Sequence, residues 1–278
     1  MQETLPAGLY IVATPIGNLG DLSPRAAEVL ARADLIAVED SRVTAKLLAR
    51  VGAKRPMTPY HDHNADRVRP GLIERMGREA VALVSDAGTP LISDPGFKLV
   101  RDARAAGVTV TTIPGPCAAV AALTLAGLPT DRFLFMGFPP ARQKARADTI
   151  AEVAGVRATL IFYESGPRLG ATLAALAEGL GDREAAVARE ISKAFEECVT
   201  DRLSALAARY DAAPPRGEIV IVVAPPGEER AAAPPGDVDA ALAEALTRLP
   251  PSQAAHEVAR AMGLSKRDLY ARALAMKA

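Results

Sequence analysis

The chain has 278 residues, 49% of them hydrophobic, with 33 basic and 33 acidic side chains and a formal net charge of +0. That length suits two domains with room for a small third unit, and the apolar content excludes a disordered chain. Balanced charge excludes a protein that coats nucleic acid through bulk positive charge, so any RNA contact must rest on local basic patches.

Short apolar, β-branched runs alternate with helical patterns along the chain. Leu9 to Ala13 reads as a strand, and Ser23-Pro24-Arg25 supplies an N-cap followed by proline at the first helical position. A strand over Leu35 to Val38 leads to a helix from about Ser41 to Val51, and a helical pattern from Val68 to Met76 precedes a strand over Val81 to Val84. Lys98 to Ala106 reads as a helix that stops at Gly107, before an extended Val108 to Ile113. The alanine-rich run from Cys117 to Leu128 suits a packed helix and is too short to span a bilayer. Arg132 to Met136 is a strand, Ala141 to Val153 a basic helix, and Thr159 to Tyr163 a strand. A helix over Leu169 to Leu180, a strand over Ala185 to Ala188, a helix over Leu203 to Tyr210 and a strand over Glu218 to Val223 complete the series. Strands separated by helices of this length predict βαβ units and largely parallel sheets.

The organisation changes after Ala224. Pro225-Pro226-Gly227 and Pro234-Pro235-Gly236 bracket a stiff, solvated linker over 225–236. Three helical patterns follow at Val238 to Leu246, Ser252 to Met262 and Lys266 to Ala275, with Gly263 ending the second and Ser265 capping the third. That spacing fits a helix-turn-helix and a plain helical hairpin equally well. Cys117 and Cys198 form no CxxC pair, and residues 1–7 lack the basic flank and apolar run of a secretory signal. A soluble cytoplasmic protein without a membrane span is expected.

In an open α/β sheet, ligands gather outside the carboxyl ends of the strands. Three loops in such places carry unusual residues. The first, Thr14 to Asp21, contains Pro15, Gly17 and Gly20 but no GxGxxG fingerprint. The second, Ser85 to Gly96, combines two prolines, two glycines and two acids, which makes it stiff and preshaped. The third, Ile113 to Ala118, ends a strand and opens a helix whose free N–H groups can receive a carboxylate. Singly, each also fits an ordinary connection.

Together these segments resemble the tetrapyrrole (corrin/porphyrin) methylase superfamily, from Gly8 to about Ala224. The match is carried by Leu9 to Leu19, Glu39-Asp40-Ser41-Arg42, the Ser85 to Gly96 loop, Pro114-Gly115-Pro116 and Gly137-Phe138-Pro139-Pro140. It continues through Phe162-Tyr163-Glu164-Ser165, Ala188 to Lys193 and Gly217 to Val220. Within the superfamily the chain is most similar to the branch that methylates a cytidine 2'-oxygen in small-subunit (16S) ribosomal RNA near the decoding centre. The resemblance implies a two-lobed α/β fold, 1–114 and 115–224, with a cleft between the lobes and a helical unit over 237–278. It also implies a homodimer and S-adenosyl-L-methionine as methyl donor. The family's Gly-Gly-Asp-Pro loop falls in register with Ala87, Gly88, Thr89 and Pro90, with Ile92 as the next cofactor contact. Cys117 and Ala118 fall where the Pro-Gly loop becomes a helix, and Tyr163 and Gly217 on the second lobe's cofactor wall. Pro15 and Gly17 complete the expected cofactor set. One motif departs: where the family reads Tyr-Glu-Ser-Pro-His-Arg, this chain has Gly166-Pro167 in place of Pro-His.

Methyl transfer from a sulfonium to oxygen needs alignment and a proton acceptor, and the cofactor supplies the electrophile. Candidate bases are His61, His63, Glu190 and Lys193; the last two read equally as a surface ion pair. His61-Asp62-His63 has no partner pair at metal-ligand spacing, so no metal is expected. Arg42, Lys46 and Arg50, followed by Lys54 and Arg55, form one basic patch, and Arg142, Lys144 and Arg146 another; either is an RNA contact or a solvated helix face. Aromatics make up 4% of the chain, which favours phosphate and 2'-OH contacts with the small ribosomal subunit over stacking. Two rivals stand: a methylase of a tetrapyrrole or other small molecule, and a helix-turn-helix DNA-binding regulator with an α/β sensor domain.

Overall fold

The computed structural model of the protein describes residues 4–227, 235–262 and 266–276. Strands β1 (Gly8–Val12), β2 (Leu35–Val38), β3 (Met57–Pro59), β4 (Ala80–Val84) and β5 (Val110–Ile113) form the first sheet. All pair in parallel, in the order β3-β2-β4-β1-β5. Parallel neighbours need crossovers, supplied by α1 (Pro24–Arg32), α2 (Ser41–Arg50), α3 (Ala65–Met76) and α4 (Phe97–Ala105). The Ser23 side chain caps α1 by accepting from Ala26 N, with Pro24 in the first turn.

Successive strand residues point to opposite faces, and the sheet buries both. Tyr10, Val12, Ile36, Val38, Ala82 and Val84 pack with Leu30 of α1 and Leu47 of α2. Leu9, Leu35, Ala37, Val81 and Leu83 pack on the other side with Leu72 of α3 and Leu99 of α4.

The second sheet is built from β6 (Phe133–Gly137), β7 (Thr159–Ser165), β8 (Glu184–Arg189), β9 (Glu197–Arg202) and β10 (Glu218–Val223), in the order β6-β7-β10-β8-β9. Its pairing corrects the expectation of largely parallel sheets. Only β6 and β7 run parallel; β10 is antiparallel to β7 and β8, and β8 to β9. Helices α6 (Gln143–Val153), α7 (Leu169–Leu180) and α8 (Leu203–Ala212) cover one face, through Leu160, Phe162, Val187 and Ile221. Helix α5 (Ala118–Leu125) covers the other, against Ile161, Ala186, Val220 and Val222.

Three helices close the chain: α9 (Pro235–Arg248), α10 (Pro251–Met262) and α11 (Lys266–Ala275). Leu242, Ala254, Val258 and Leu269 give them a core of their own. The expected turn at Gly263 and Ser265 lies outside the described residues, as does most of the expected linker, whose last two positions are already in α9. Among the described residues, no helix is long and apolar enough to cross a membrane.

Candidate functional site

The first sheet's order places β4, β1 and β5 side by side, so the three unusual loops emerge together at its carboxyl edge. They are knitted to one another. Thr14 N donates to Gly88 O at 2.8 Å and Gly88 N to Thr14 O at 3.1 Å, a one-pair antiparallel bridge between the first two loops. The Thr89 hydroxyl donates to Pro116 O at 2.9 Å, tying in the third. Gly88 holds φ at +80°, which an L side chain adopts only with strain. At Gly115 an added Cβ would sit 2.9 Å from the Ala13 Cβ, so glycine lets the third loop lie against the first.

The second lobe closes over this edge. An added Cβ on Gly17 would meet Lys193 Cγ at 2.4 Å and Ile191 O at 3.0 Å. The Ser192 hydroxyl bonds to Asp21 across the gap. At the other end, an added Cβ on Gly137 would lie 3.2 Å from Ser93 Oγ. Between these contacts runs a cleft lined by residues of both lobes. Of the four isoleucines lining it, Ile92 and Ile191 come from opposite lobes. Each is flanked by left-handed residues: Leu91 (φ 76°) and Ser93 (φ 64°), Glu190 (φ 51°) and Ser192 (φ 66°). Non-glycine residues rarely hold such angles, and they cluster where a binding surface over-determines the backbone.

Among the described residues, carboxylates dominate the polar lining, with Glu39, Asp86, Asp94, Glu164, Glu190 and Glu218 against one cation, Lys193. Several are already committed. The Glu164 side chain is fully buried and accepts from Thr172 Oγ1 at 2.7 Å and Ser165 N at 2.8 Å, with Arg168 Nη2 at 3.3 Å. Glu190 pairs with Lys193 Nζ at 2.9 Å. Asp86 accepts from Asp40 N at 3.0 Å, and its own N donates to Glu39 at 3.5 Å. Burial and the neighbouring Asp86 raise the Glu39 pKa. Asp94 is pushed up to about 6, first by burial and then by the charges of Glu39, Asp86 and Glu218, against a lowering bond from Ser85. Tyr163 stands on the far wall with its phenol pKa raised, chiefly by burial. Its oxygen accepts from Ala119 N at 3.1 Å, and Phe135 and Phe138 meet its ring edge-on at 4.9 and 5.4 Å.

Of the expected cofactor residues, Ala87, Gly88, Thr89, Ile92, Cys117, Ala118 and Tyr163 line the cleft. Pro15 and Gly17 belong to the loop beside it, Pro90 is a buried member of the second loop, and Gly217 packs against Glu190. Glu190 and Lys193 line it too, joined to each other across a turn that holds left-handed residues. His61 and His63 follow β3 at the sheet's outer edge and do not line the cleft. His63 is exposed, and His61 Nδ1 is buried without a hydrogen-bond partner.

Among the described residues, no group of three or more His, Cys, Asp or Glu side chains could hold a metal ion. Arg42, Lys46 and Arg50 lie exposed along α2, with Arg42 paired to Asp40, whose pKa that hydrogen bonding lowers to about 2. Arg55 is spent on the Ala31 carbonyl. The second patch needs correction: Arg142 and Lys144 are exposed, but Arg146 is buried. It shares a helical stripe with Ile150 and Val153, the face that α6 turns inward. Sequence reasoning gave no role to Asp94, Glu164, Phe138, Ile191 and Glu218, although all five fall inside the motif stretches that carry the resemblance.

Two helix-covered α/β sheets enclosing such a cleft define the Tetrapyrrole (Corrin/Porphyrin) Methylases, whose family profile matches residues 8–207. The diphthine synthase crystal structure shares the fold, with a TM-score of 0.62 at 19% identity over 78% of this chain and 89% of that one. So does uroporphyrin-III C-methyl transferase from Thermus thermophilus complexed with S-adenyl homocysteine, with a TM-score of 0.54 at 21% identity over 78% and 97% of the two chains. A second profile, the RsmI C-terminal HTH domain, matches residues 232–277. The ribosomal RNA small subunit methyltransferase I of Erythrobacter litoralis is 55% identical over 99% of this chain and 97% of its own length. The chain belongs to the ribosomal RNA small subunit methyltransferase I family.

Proposed function

We propose that the protein transfers a methyl group from S-adenosyl-L-methionine to the ribose 2'-oxygen of a cytidine in small-subunit (16S) ribosomal RNA near the decoding centre. The observation that carries the reading is the cleft: a preshaped, carboxylate-rich socket between two lobes, in a chain 55% identical to a ribosomal RNA methyltransferase. Its acidic groups suit the cofactor. Cationic sulfonium and ammonium groups are favoured beside Glu39, Asp86 and Asp94, and the strength of that attraction grows as the cleft excludes water. The aminoacid carboxylate is favoured at the start of α5, where Cys117 makes no side-chain cap. Ala87, Gly88, Thr89, Ile92, Ala118 and Tyr163 form the walls, and Pro15, Gly17, Pro90 and Gly217 shape the loops behind them.

When bound, the cofactor supplies an electrophilic methyl group on a cationic sulfur. The chain's own residues hold the acceptor in line and exclude water. Phe138, exposed at the cleft mouth and braced by Tyr163, offers a stacking surface for the target base. Arg42, Lys46 and Arg50 on α2 and Arg142 and Lys144 on α6 are placed to meet phosphates, and the helical unit over 237–278 adds contact area. Exposed apolar side chains such as Phe97 and Phe195 are available to the homodimer interface expected from the resemblance.

The test is incubation with methyl-labelled cofactor and undermethylated small subunits, followed by mass mapping. The expected product is one cytidine labelled on its ribose. Label on a base, or none in RNA, contradicts the reading.

A further inference from the structure

Helix α6 begins a short, proline-stiffened turn after Phe138, the aromatic ring that lines the cleft from β6. That turn is held in place from β7. Arg168 Nη2 donates to Pro139 O at 2.6 Å and lies 3.3 Å from the buried Glu164 carboxylate, so the chain between Phe138 and the helix is tied to the cleft wall.

The first turn of α6 runs against the usual rule for a helix start. A helix N-terminus carries partial positive charge and free N–H groups, which acidic side chains or a capping oxygen normally answer. Here the N-cap is Arg142, which makes no side-chain cap, and the first turn holds no acid. Lys144 adds a second exposed cation. Arg146 N bonds back to Arg142 O at 2.9 Å, so the amides of 143–145 come before the helical ladder begins.

Arg146 supplies an independent observation. It is 9% exposed, and among its side-chain nitrogens Nε is sealed from solvent without a hydrogen-bond partner. Burying a charge without a partner is costly. Side chains on a helix lean toward its N-terminus, which carries the Arg146 head back toward the free amides of the first turn. Free donors, a positive helix end and an unpartnered guanidinium thus converge where the turn from Phe138 enters α6. All three are answered by one anion.

We propose that the start of α6 is a receptor for a single phosphodiester of the RNA strand entering the cleft, with Arg146 as its central ligand and Arg142 and Lys144 at its edge. This rests on the RNA-methylation reading above. Phosphate oxygens accept from main-chain N–H groups and from the guanidinium fork together. A carboxylate on a protein partner could use the same donors, but the stiff connection to Phe138 favours RNA, whose base and phosphate come on one strand. Phosphate contacts carry no sequence information and fix register. The anchored phosphate sets how far the strand can slide while Phe138 holds the base, and so which ribose meets the cofactor.

The experiment compares wild type, Arg146→Met and Arg146→Lys in binding to undermethylated small subunits and to protein-free 16S RNA across a range of salt. Thermal melts and cofactor titration accompany both. Arg146→Met should bind both RNAs roughly tenfold more weakly, with the salt slope reduced by about 1 and cofactor Kd unchanged. It should melt no lower than wild type, because it removes a buried charge that has no partner to lose. Arg146→Lys should keep the slope and recover part of the affinity, a point charge replacing a fork. A melting midpoint more than about 4 °C below wild type in Arg146→Met would make the residue structural and overturn the proposal. So would wild-type affinity and slope in that variant, or a defect confined to assembled subunits, which would assign the site to a protein surface. If wild type itself binds both RNAs without salt dependence, the RNA reading has failed and this proposal with it; a steep wild-type slope that Arg146→Met leaves unchanged overturns the phosphate site alone.

Discussion

Gly166→Ala tests how tightly the second lobe's cleft wall is built. Gly166 is buried at the end of β7, and a Cβ there would sit 1.6 Å from the Pro215 carbonyl oxygen and 2.8 Å from its carbon. Ordinary contact needs roughly 3.5 Å, so the two segments must separate by about 2 Å. The obstacle is main chain, stiffened by Pro214 and Pro215, and cannot turn aside as a side chain would. Overpacking of this kind costs about 1–3 kcal/mol, and a backbone obstacle belongs at the upper end. At an m-value of about 2–3 kcal/mol/M the urea midpoint should fall by about 1 M. The same movement displaces Gly217 and Glu218, so cofactor affinity should fall as well. Gly155→Ala is the control: nothing lies within 4 Å of its added Cβ, and its midpoint should hold or rise slightly. A Gly166→Ala protein with unchanged midpoint and cofactor affinity would refute the reasoning.

Three further outcomes are expected. Because the Asp94 pKa is raised in the folded state, its contribution to stability is full below the ordinary carboxyl value of 3.8 and is lost as pH rises through about 6. Discounted for partial exposure, the loss is about 1 kcal/mol; cofactor-free Asp94→Asn should therefore gain on wild type in thermal melts between pH 4 and 7, and parallel curves would count against it. Phe138→Ala should raise KM for small subunits roughly tenfold with cofactor Kd little changed, as expected for loss of one stacking surface worth about 1–3 kcal/mol; an unchanged KM removes it from the substrate site. Replacing Arg42, Lys46 and Arg50 together by glutamine should reduce the salt slope of subunit binding by about 2, since Arg42 is already partly neutralised by Asp40; an unaltered slope moves the RNA elsewhere.

Most of the fold was legible because its strands are short apolar runs and its helices carry caps. Leu35 to Val38, Leu169 to Leu180 and Glu218 to Val223 coincide with β2, α7 and β10 to the residue. Two strands were not legible, for different reasons. Met57–Pro59 is short and flanked by prolines, and Glu197–Arg202 is a polar edge strand with no apolar alternation. Strand direction was also hidden: β8 and β10 are covered by helices on both faces, so they read as continuous apolar runs whichever way they pair. At the site, the glycine–proline loops announced themselves through residues with special backbone demands. The cleft's acids did not, because a carboxylate's role depends on which neighbours hold it. Glu164 and Asp94 look alike in sequence, and only the bonds to Thr172, Ser165 and Arg168 separate an immobilised acid from an available one. Arg146 shows the converse: its register with Ile150 and Val153 was readable, but its charge suggested surface.

The account stands most directly on calorimetric titration of the purified chain with S-adenosylmethionine. Saturable binding at one site per chain is predicted, weakened when Gly88 is replaced by a bulky residue. A titration with neither heat nor saturation would contradict it.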